Sequence, residues 1–283
     1  MPSNTPTPNT NNYMNNRLSL LIIALVCLAG IAVTAGGQQV TTKQPSTTAQ
    51  KQPSAAVQYE RPAPLHDRPS LILKRVGYIA SYNKQTRTPN WVAWHLTKAH
   101  TYGSTQRSGE VFTEDVQVPT PRATDADYYN SRYDRGHMCP AGDNKWSEKA
   151  MTHSFLLTNI CPQNHGLNKY EWNDVEMLCR DWARSYGAID IVCGPVYEKD
   201  KQAKYIGKNK VRVPDAFFKV VLCRGRQPKT IGFLFMNNGK KQPYAEAVRT
   251  VDEIERLTGI DFFPALDDKT ESRIEAQARL ADW

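Results

Sequence analysis

Four side chains that could together perform one reaction lie in one short stretch of the chain. His137 ends the tetrapeptide Asp-Arg-Gly-His at positions 134–137 and is followed by Asn159, Asn168 and Glu176. A histidine can serve as a general base because its unperturbed pKa lies near neutral pH. The amide oxygen of Asn168 suits a hard cation such as Mg²⁺, which takes few protein ligands and keeps several waters. A base and a metal ligand are components that phosphodiester hydrolysis needs.

The net charge of the chain is compatible with phosphodiester hydrolysis, but it does not by itself indicate that reaction. The 283 residues include 36 Lys and Arg against 28 Asp and Glu, which gives a net charge of +8. Such a charge attracts polyanions, but many basic proteins use it only to stay soluble. Once an atypical N-terminus is set aside, the length fits one domain of roughly 200–250 residues with a sizeable core.

The elements that would position these side chains can be predicted from apolar spacing. A helix is predicted by apolar and aromatic residues that recur at helical spacing and are followed by Gly187: Trp172, Val175, Cys179, Trp182 and Tyr186. If this helix begins near Asn168, positions 168, 172 and 176 drift by only about 40° per step. Glu176 would then border the apolar face and need a partner, which a metal-bound water could supply. Gly136 predicts a sharp backbone turn before the histidine.

Strand-like segments outnumber helical ones. Aromatic and β-branched runs predict strands over 71–82, 90–96, 189–193, 216–223 and 230–236, and a second helix is expected over 244–257. The polar turn at 83–89 pairs the first two runs as antiparallel strands, and the basic stretch 199–212 reads as a hairpin. The predicted class is α+β, with a central antiparallel sheet flanked by helices.

The first 66 residues differ from the rest of the chain. Residues 1–37 predict a signal peptide or membrane anchor, because the apolar run 18–35 ends in the small residues of a cleavage site and is nearly long enough to span a bilayer. We therefore expect an exported protein, periplasmic or secreted, with membrane contact only if this segment is retained. Residues 38–66 are rich in Gln, Thr, Ser and Pro and predict a disordered linker before a domain over 67–283.

Cysteine usage leaves two questions open. Five cysteines lie outside the targeting segment, so an exported protein could form disulfides but would leave at least one thiol without a partner in the chain: Cys139, Cys161, Cys179, Cys193 and Cys223. A zinc site would have suitable ligand types, although the spacing is not that of a common zinc finger: His137, Cys139, Cys161 and His165.

The motif at 134–137, the segment Asn159-Ile-Cys-Pro-Gln163, Asn168 and Glu176 resemble the active-site signature of the sugar-non-specific DNA/RNA endonucleases. This family belongs to the ββα-metal superfamily, which also includes mitochondrial endonuclease G, and the similarity extends from about position 71 to the C-terminus. The resemblance implies a ββα-metal active-site finger. It also implies that His137 activates water, that Asn168 is the one direct protein ligand of Mg²⁺ (with Mn²⁺ as a substitute), and that Glu176 holds a metal-bound water.

Three further roles follow from the resemblance. Asn159 would orient the site, and Arg107 is the candidate for the arginine that neutralises the developing phosphorane. Arg135 would either contact phosphate or brace the backbone. The partners would be DNA and RNA without sequence specificity, because phosphate contacts carry no sequence information. Monomer and homodimer both stay open.

Plainer interpretations compete with each assignment. His137 could be a structural histidine, Asn168 a helix cap, Glu176 a solvated helix residue, Asn159 a turn residue bonded only to backbone, and Arg107 a surface charge. Two other functions also remain: a nucleic-acid-binding module with a degenerate site, and a phosphoesterase acting on a small or lipid diester.

Overall fold

The computed structural model describes residues 57–283. It contains eleven strands, which are β1 (Leu71–Lys74), β2 (Ile79–Asn83), β3 (Thr88–Thr97), β4 (Asp134–His137), β5 (Ile160–Gln163), β6 (Ala188–Val196), β7 (Tyr205–Ile206), β8 (Val211–Arg212), β9 (Ala216–Cys223), β10 (Lys229–Met236) and β11 (Val248–Arg249). Seven of them form one sheet in the order β1-β2-β3-β6-β9-β10-β11, and all of its neighbours pair antiparallel. β4 pairs with β5, and β7 with β8, outside this sheet.

Five α-helices accompany the strands. They are α1 (Glu148–Ser154), α2 (His165–Lys169), α3 (Glu171–Tyr186), α4 (Val251–Thr258) and α5 (Asp268–Glu275). The buried apolar residues of α3 belong to one core cluster, and those of α4 and α5 belong to another. Adjacent strand residues alternate between the two clusters, since Phe217 of β9 lies in the first and Phe218 in the second. The sheet is therefore covered by helices on both faces, which confirms the α+β class.

Two predicted elements have different bounds from those expected. The run 71–82 is two strands, because residues 75–78 form a turn closed by a hydrogen bond from the Arg75 amide to the Tyr78 carbonyl (2.8 Å). The helix expected over 244–257 begins only at Val251. Thr250 caps it by accepting a hydrogen bond from the Glu253 amide, while the Glu253 carboxylate accepts one from the Thr250 amide.

The expectations for the N-terminus fall mostly outside the described residues. The targeting segment 1–37 and positions 38–56 of the predicted linker lie there. The last residues of the predicted linker are packed, since the Ala63 amide donates to the Asp261 carbonyl (3.0 Å) and both Tyr59 and Leu65 contact the core cluster of α4 and α5. Within residues 57–283, no helix has the length and apolarity needed to cross a membrane.

Candidate active site

The tetrapeptide at 134–137 forms strand β4, so the sharp turn expected at Gly136 is wrong. β4 pairs antiparallel with β5, with Gly136 opposite Cys161 and His137 opposite Ile160. A Cβ atom at Gly136 would lie 2.2 Å from the Gln163 Oε1, so glycine is required here by close packing rather than by a turn. The chain then enters α2 and α3, which completes a β-β-α arrangement.

Asn168 and Glu176 lie on two helices, whereas one helix was expected. The backbone breaks at Tyr170 (φ −114°, ψ −87°), which separates α2, with Asn168, from α3, with Glu176. The buried residues of α3 include Trp172, as its spacing predicted, and the helix ends at Gly187 with φ 88°. The positions of Asn168 and Glu176 therefore depend on the angle between the helices and not on one helical repeat.

Both residues nevertheless line one open cleft of about 500 Å³. Five of the six residues predicted for the site line this cleft, namely Arg107, Arg135, His137, Asn168 and Glu176. Arg180, which sequence reasoning missed, lines it as well. The arrangement thus places a histidine, an amide, a carboxylate and three guanidinium groups around one space.

His137 is held in an apolar pocket at the edge of this cleft. Its ring packs against Phe112 and Phe155, at centroid distances of 5.3 and 4.9 Å, and the residue is 8% exposed. Burial and then the positive charge of Arg107 lower the pKa of His137 to about 3. Its Nε2 has no hydrogen-bond partner within residues 57–283. The imidazole is therefore neutral near pH 7, as a general base must be.

Asn168 is oriented by the first residue of the tetrapeptide. Its Nδ2 donates to Asp134 Oδ2 (2.9 Å), and His165 Nδ1 lies at the same distance from that oxygen. Because its nitrogen is used in this way, the amide oxygen of Asn168 is the atom left for another ligand. This donor chemistry fits a hard cation. Sequence reasoning missed Asp134 as an orienting group, although its place in the motif was a usable signal.

Glu176 lies on α3, where burial and nearby positive charges shift its pKa in opposite directions. Burial raises its pKa to about 7, while Lys219 and Arg180 act in the opposite direction. Arg180 lies one helical turn after Glu176 and donates to Asp143 Oδ1 (2.9 Å). The Lys219 ammonium is buried beneath the helix, 4.3 Å from the centroid of the Trp172 ring. Sequence reasoning also missed Lys219, although a lysine within the otherwise apolar strand β9 was a usable signal.

The two arginines predicted for the site, Arg107 and Arg135, differ in how firmly they are held. Arg135 donates to the Asp125 carboxylate and lies 5.4 Å from the ring centroid of Tyr128. Arg107 is exposed, and its guanidinium carbon is 5.5 Å from the ring centroid of Phe155. Arg135 is thus a braced group at the cleft, and Arg107 is a reachable one.

Asn159 does not line the cleft. It is fully buried, and its Nδ2 donates to the carbonyls of Cys139 and Ser154 (both 2.8 Å), while its Oδ1 accepts from the Cys139 amide (2.9 Å). Asn159 therefore contacts no group of the cleft directly, and its predicted role in orienting the site stays a prediction. It bonds only backbone atoms and positions the segment that follows His137.

The cysteines do not form a site in the described part of the chain. All five are free and buried, so no disulfide links them to one another. Within residues 57–283, the zinc ligands considered above do not converge, whereas three acidic side chains elsewhere do. His165, one of those four residues, is instead exposed and placed beside Asp134.

Sequence and structure comparisons identify the class. Residues 54–269 match the DNA/RNA non-specific endonuclease family, and the chain belongs to that family. It is 37% identical to the mitochondrial nuclease EXOG of Xenopus laevis (68% of this chain, 58% of that protein) and 36% identical to mitochondrial endonuclease G of Bos taurus (67% and 68%). A crystal structure of an EndoG/EndoGI complex is similar with a TM-score of 0.67 and 29% identity, over 71% of this chain and 90% of that one.

These relatives correct one expectation. Relatives from Xenopus laevis, Bos taurus and Saccharomyces cerevisiae are mitochondrial nucleases, which contradicts the predicted periplasmic or secreted location. Hydropathy detects the apolar run 18–35, but it does not identify the membrane to which the chain is directed. The chain spans 56–60% of the length of the EXOG relatives that it matches.

Proposed function

We propose that this protein is a Mg²⁺-dependent endonuclease that hydrolyses phosphodiester bonds of DNA and RNA without sequence specificity. One observation carries the proposal: His137, Asn168, Glu176 and Arg107 line a single cleft. Family membership supplies the reaction class, and the cleft supplies the groups that the reaction needs.

In this proposal the neutral imidazole of His137, which lines the cleft, accepts a proton from the attacking water. The amide oxygen of Asn168 and, through a water, the carboxylate of Glu176 would hold Mg²⁺. When bound, this ion polarises a phosphate oxygen and stabilises the charge that develops on it. Arg107 and Arg180 would add positive charge at the same phosphate, and the apolar ring of Phe155 keeps the guanidinium of Arg107 near His137.

The groups that line the cleft favour a substrate recognised by its backbone. They include the guanidinium groups of Arg107, Arg135 and Arg180, which can hold phosphates whatever bases those phosphates join. The reaction centre would therefore read the phosphodiester that DNA and RNA share. The same argument explains why a small diester remains a competing substrate.

The test is digestion of plasmid DNA and of RNA by the full chain, with Mg²⁺, with Mn²⁺ and with EDTA. We expect cleavage of both substrates, its loss in EDTA, and a decrease of about 10²–10⁴-fold in His137→Ala. His66→Ala is the matched control, because His66 is exposed and does not line the cleft.

Two outcomes would replace the proposal. Salt-sensitive binding of nucleic acid by a folded protein that cuts neither substrate would indicate a binding module. Hydrolysis of a small chromogenic diester together with intact plasmid and RNA would indicate a different phosphoesterase.

A further inference from the structure

A second group of potential ligands lies on the other face of the sheet from α3. Asp252 and Glu255 project from α4, and Glu275 ends α5. One carboxylate oxygen from each residue lies within 4.8 Å of those of the other two. The two helices are fixed on the sheet beside this group, since Ile254 and Ile274 both belong to the same core cluster.

Glu275 is the residue that the packing of the domain does not explain. It is only 3% exposed, and its Oε1 has no hydrogen-bond partner within residues 57–283. A buried carboxylate without a partner is unfavourable, and such groups are normally paired, protonated or bound to a metal ion. The amide and carbonyl groups of α5 do not satisfy this oxygen, so its partner must come from outside the described protein atoms or be its own proton.

The surroundings of Glu275 add negative charge. Burial, Glu255 and Glu271 are the leading causes that raise the pKa of Glu275, to about 9. Burial also raises the pKa of Glu255, to about 7, against the hydrogen bond that Glu255 Oε1 accepts from the Phe262 amide (2.7 Å). Among residues 57–283, no lysine, arginine or histidine forms an ion pair with the carboxylates of Asp252, Glu255 or Glu275.

We propose that Asp252, Glu255 and Glu275 form a Ca²⁺ site that links α4 to α5. Calcium binds oxygen ligands at about 2.3–2.6 Å, so ligand atoms on opposite sides of one ion lie about 5 Å apart. Three carboxylate oxygens within 4.8 Å of one another therefore match the size of this ion. Calcium is favoured over Mg²⁺ because it accepts several carboxylates in irregular geometry, whereas Mg²⁺ demands a compact octahedron and keeps its waters.

This site differs from the cleft in ligands and in consequence. The cleft offers one amide oxygen and a carboxylate, which suit an exchangeable catalytic ion, whereas the α4–α5 group offers three carboxylates from two helices. A cation here would hold the C-terminal helix against the domain, so its main effect would be on stability. The inference does not rest on the proposed nuclease activity.

The test measures thermal unfolding of the full chain in the Asn168→Ala background, which removes the ligand of the cleft. After removal of metal with EDTA and buffer exchange, we expect saturating Ca²⁺ to raise the Tm by about 5 °C or more. Isothermal titration calorimetry should show one Ca²⁺ bound per chain. Glu275→Gln and, separately, Asp252→Asn should abolish both effects.

The matched control is Asp268→Asn, which removes one acidic charge from α5 outside the three-carboxylate group and should keep the response to Ca²⁺. An unchanged Tm in the Asn168→Ala protein, or a Ca²⁺ shift that persists in a folded Glu275→Gln variant, would overturn the proposal. If Glu275→Gln is stabilised and the parent protein binds no Ca²⁺, Glu275 is simply a protonated carboxyl group. If Glu275→Gln fails to fold, the result from Asp252→Asn decides.

Discussion

At the scale of single residues, the environment of His137 determines its charge. Burial and Arg107 both disfavour the imidazolium, and together they lower the pKa of His137 to about 3. We expect the ring signals of His137, followed by NMR in metal-free protein, to show no titration between pH 5 and 9. Arg107→Ala should raise the pKa of His137 while leaving it below the ordinary value, because burial remains.

An equivalent change away from the cleft provides the control. Arg226→Ala removes an exposed arginine that does not line the cleft, and it should leave the pKa of His137 unchanged. Titration of His137 near pH 6.5 in the wild-type protein would show that the ring is solvated and that the apolar pocket formed by Phe112 and Phe155 does not control its charge.

In the proposed mechanism, Asp134 acts on the site through Asn168, which makes it a positioning residue. Its Oδ2 accepts the hydrogen bond that commits the Asn168 nitrogen, so Asp134→Ala would release the amide to rotate. We expect this change to weaken Mn²⁺ binding by about 10–100-fold, as is usual for partners of metal ligands. Titration calorimetry should be performed in the Glu275→Gln background, so that only the cleft is measured.

His165, whose Nδ1 also contacts Asp134 Oδ2, serves as the comparison. His165 is exposed, and His165→Ala leaves the bond between Asp134 and Asn168 in place. Its effect on Mn²⁺ affinity should be less than about threefold, since an exposed pair contributes little. Equal losses in the two variants would mean that the bond between Asp134 and Asn168 is not what maintains Mn²⁺ affinity, because His165→Ala leaves that bond in place.

At this scale, the sequence predicted residue types better than contacts. His137, Asn168 and Glu176 could be selected because their chemistry and order along the chain match the resemblance, and all three line the cleft. The partners of Asn159 could not be read, because a buried amide that bonds only backbone looks the same in sequence as one that faces a ligand. Arg180 required the helix to be known first.

At the scale of elements, α3 connects the core to the site through one indole. Trp172 is buried in the core cluster, and its Nε1 donates to the carbonyl of His137 (3.2 Å). Trp172→Phe would leave that buried carbonyl without its side-chain donor. We expect a loss of about 1–3 kcal/mol in the free energy of unfolding beyond the loss of ring volume, measured by urea denaturation.

Trp182→Phe on the same helix provides the volume control. It removes the same atoms from a ring that stacks on Phe233, and it does not disturb the bond to His137. The difference between the two variants therefore reports the hydrogen bond together with the weaker contact that a phenyl ring makes with the Lys219 ammonium. A Trp172→Phe protein as stable as Trp182→Phe would show that the bond contributes nothing measurable and that α3 holds β4 by packing alone.

The same helix shows what apolar spacing can and cannot predict. Repeated burial on one face identified α3 and its end at Gly187, because the periodic signal extends over several turns. The break at Tyr170 has no comparable signal, since α2 is only five residues long. In contrast, the start of α4 was available in the sequence, because Thr250 and Glu253 have the spacing of a capping box.

At the scale of the whole molecule, the net charge of +8 acts on any polyanion that approaches the cleft. Binding through phosphates releases counterions, so the affinity for DNA should fall linearly on a plot of log K against log salt concentration. We expect His137→Ala, which keeps the arginines of the cleft, to bind DNA duplexes of unrelated sequence with equal affinity and equal slope. Fluorescence anisotropy in EDTA would measure binding without cleavage.

Arg107→Ala in this background should reduce the magnitude of the slope by about one, because one phosphate contact is lost. Arg226→Ala removes the same charge from outside the cleft and should change the slope by less. Equal effects of the two substitutions would mean that DNA is attracted by the total charge and does not enter the cleft. A strong preference for one duplex sequence would contradict recognition through the backbone, since phosphate contacts alone cannot distinguish bases.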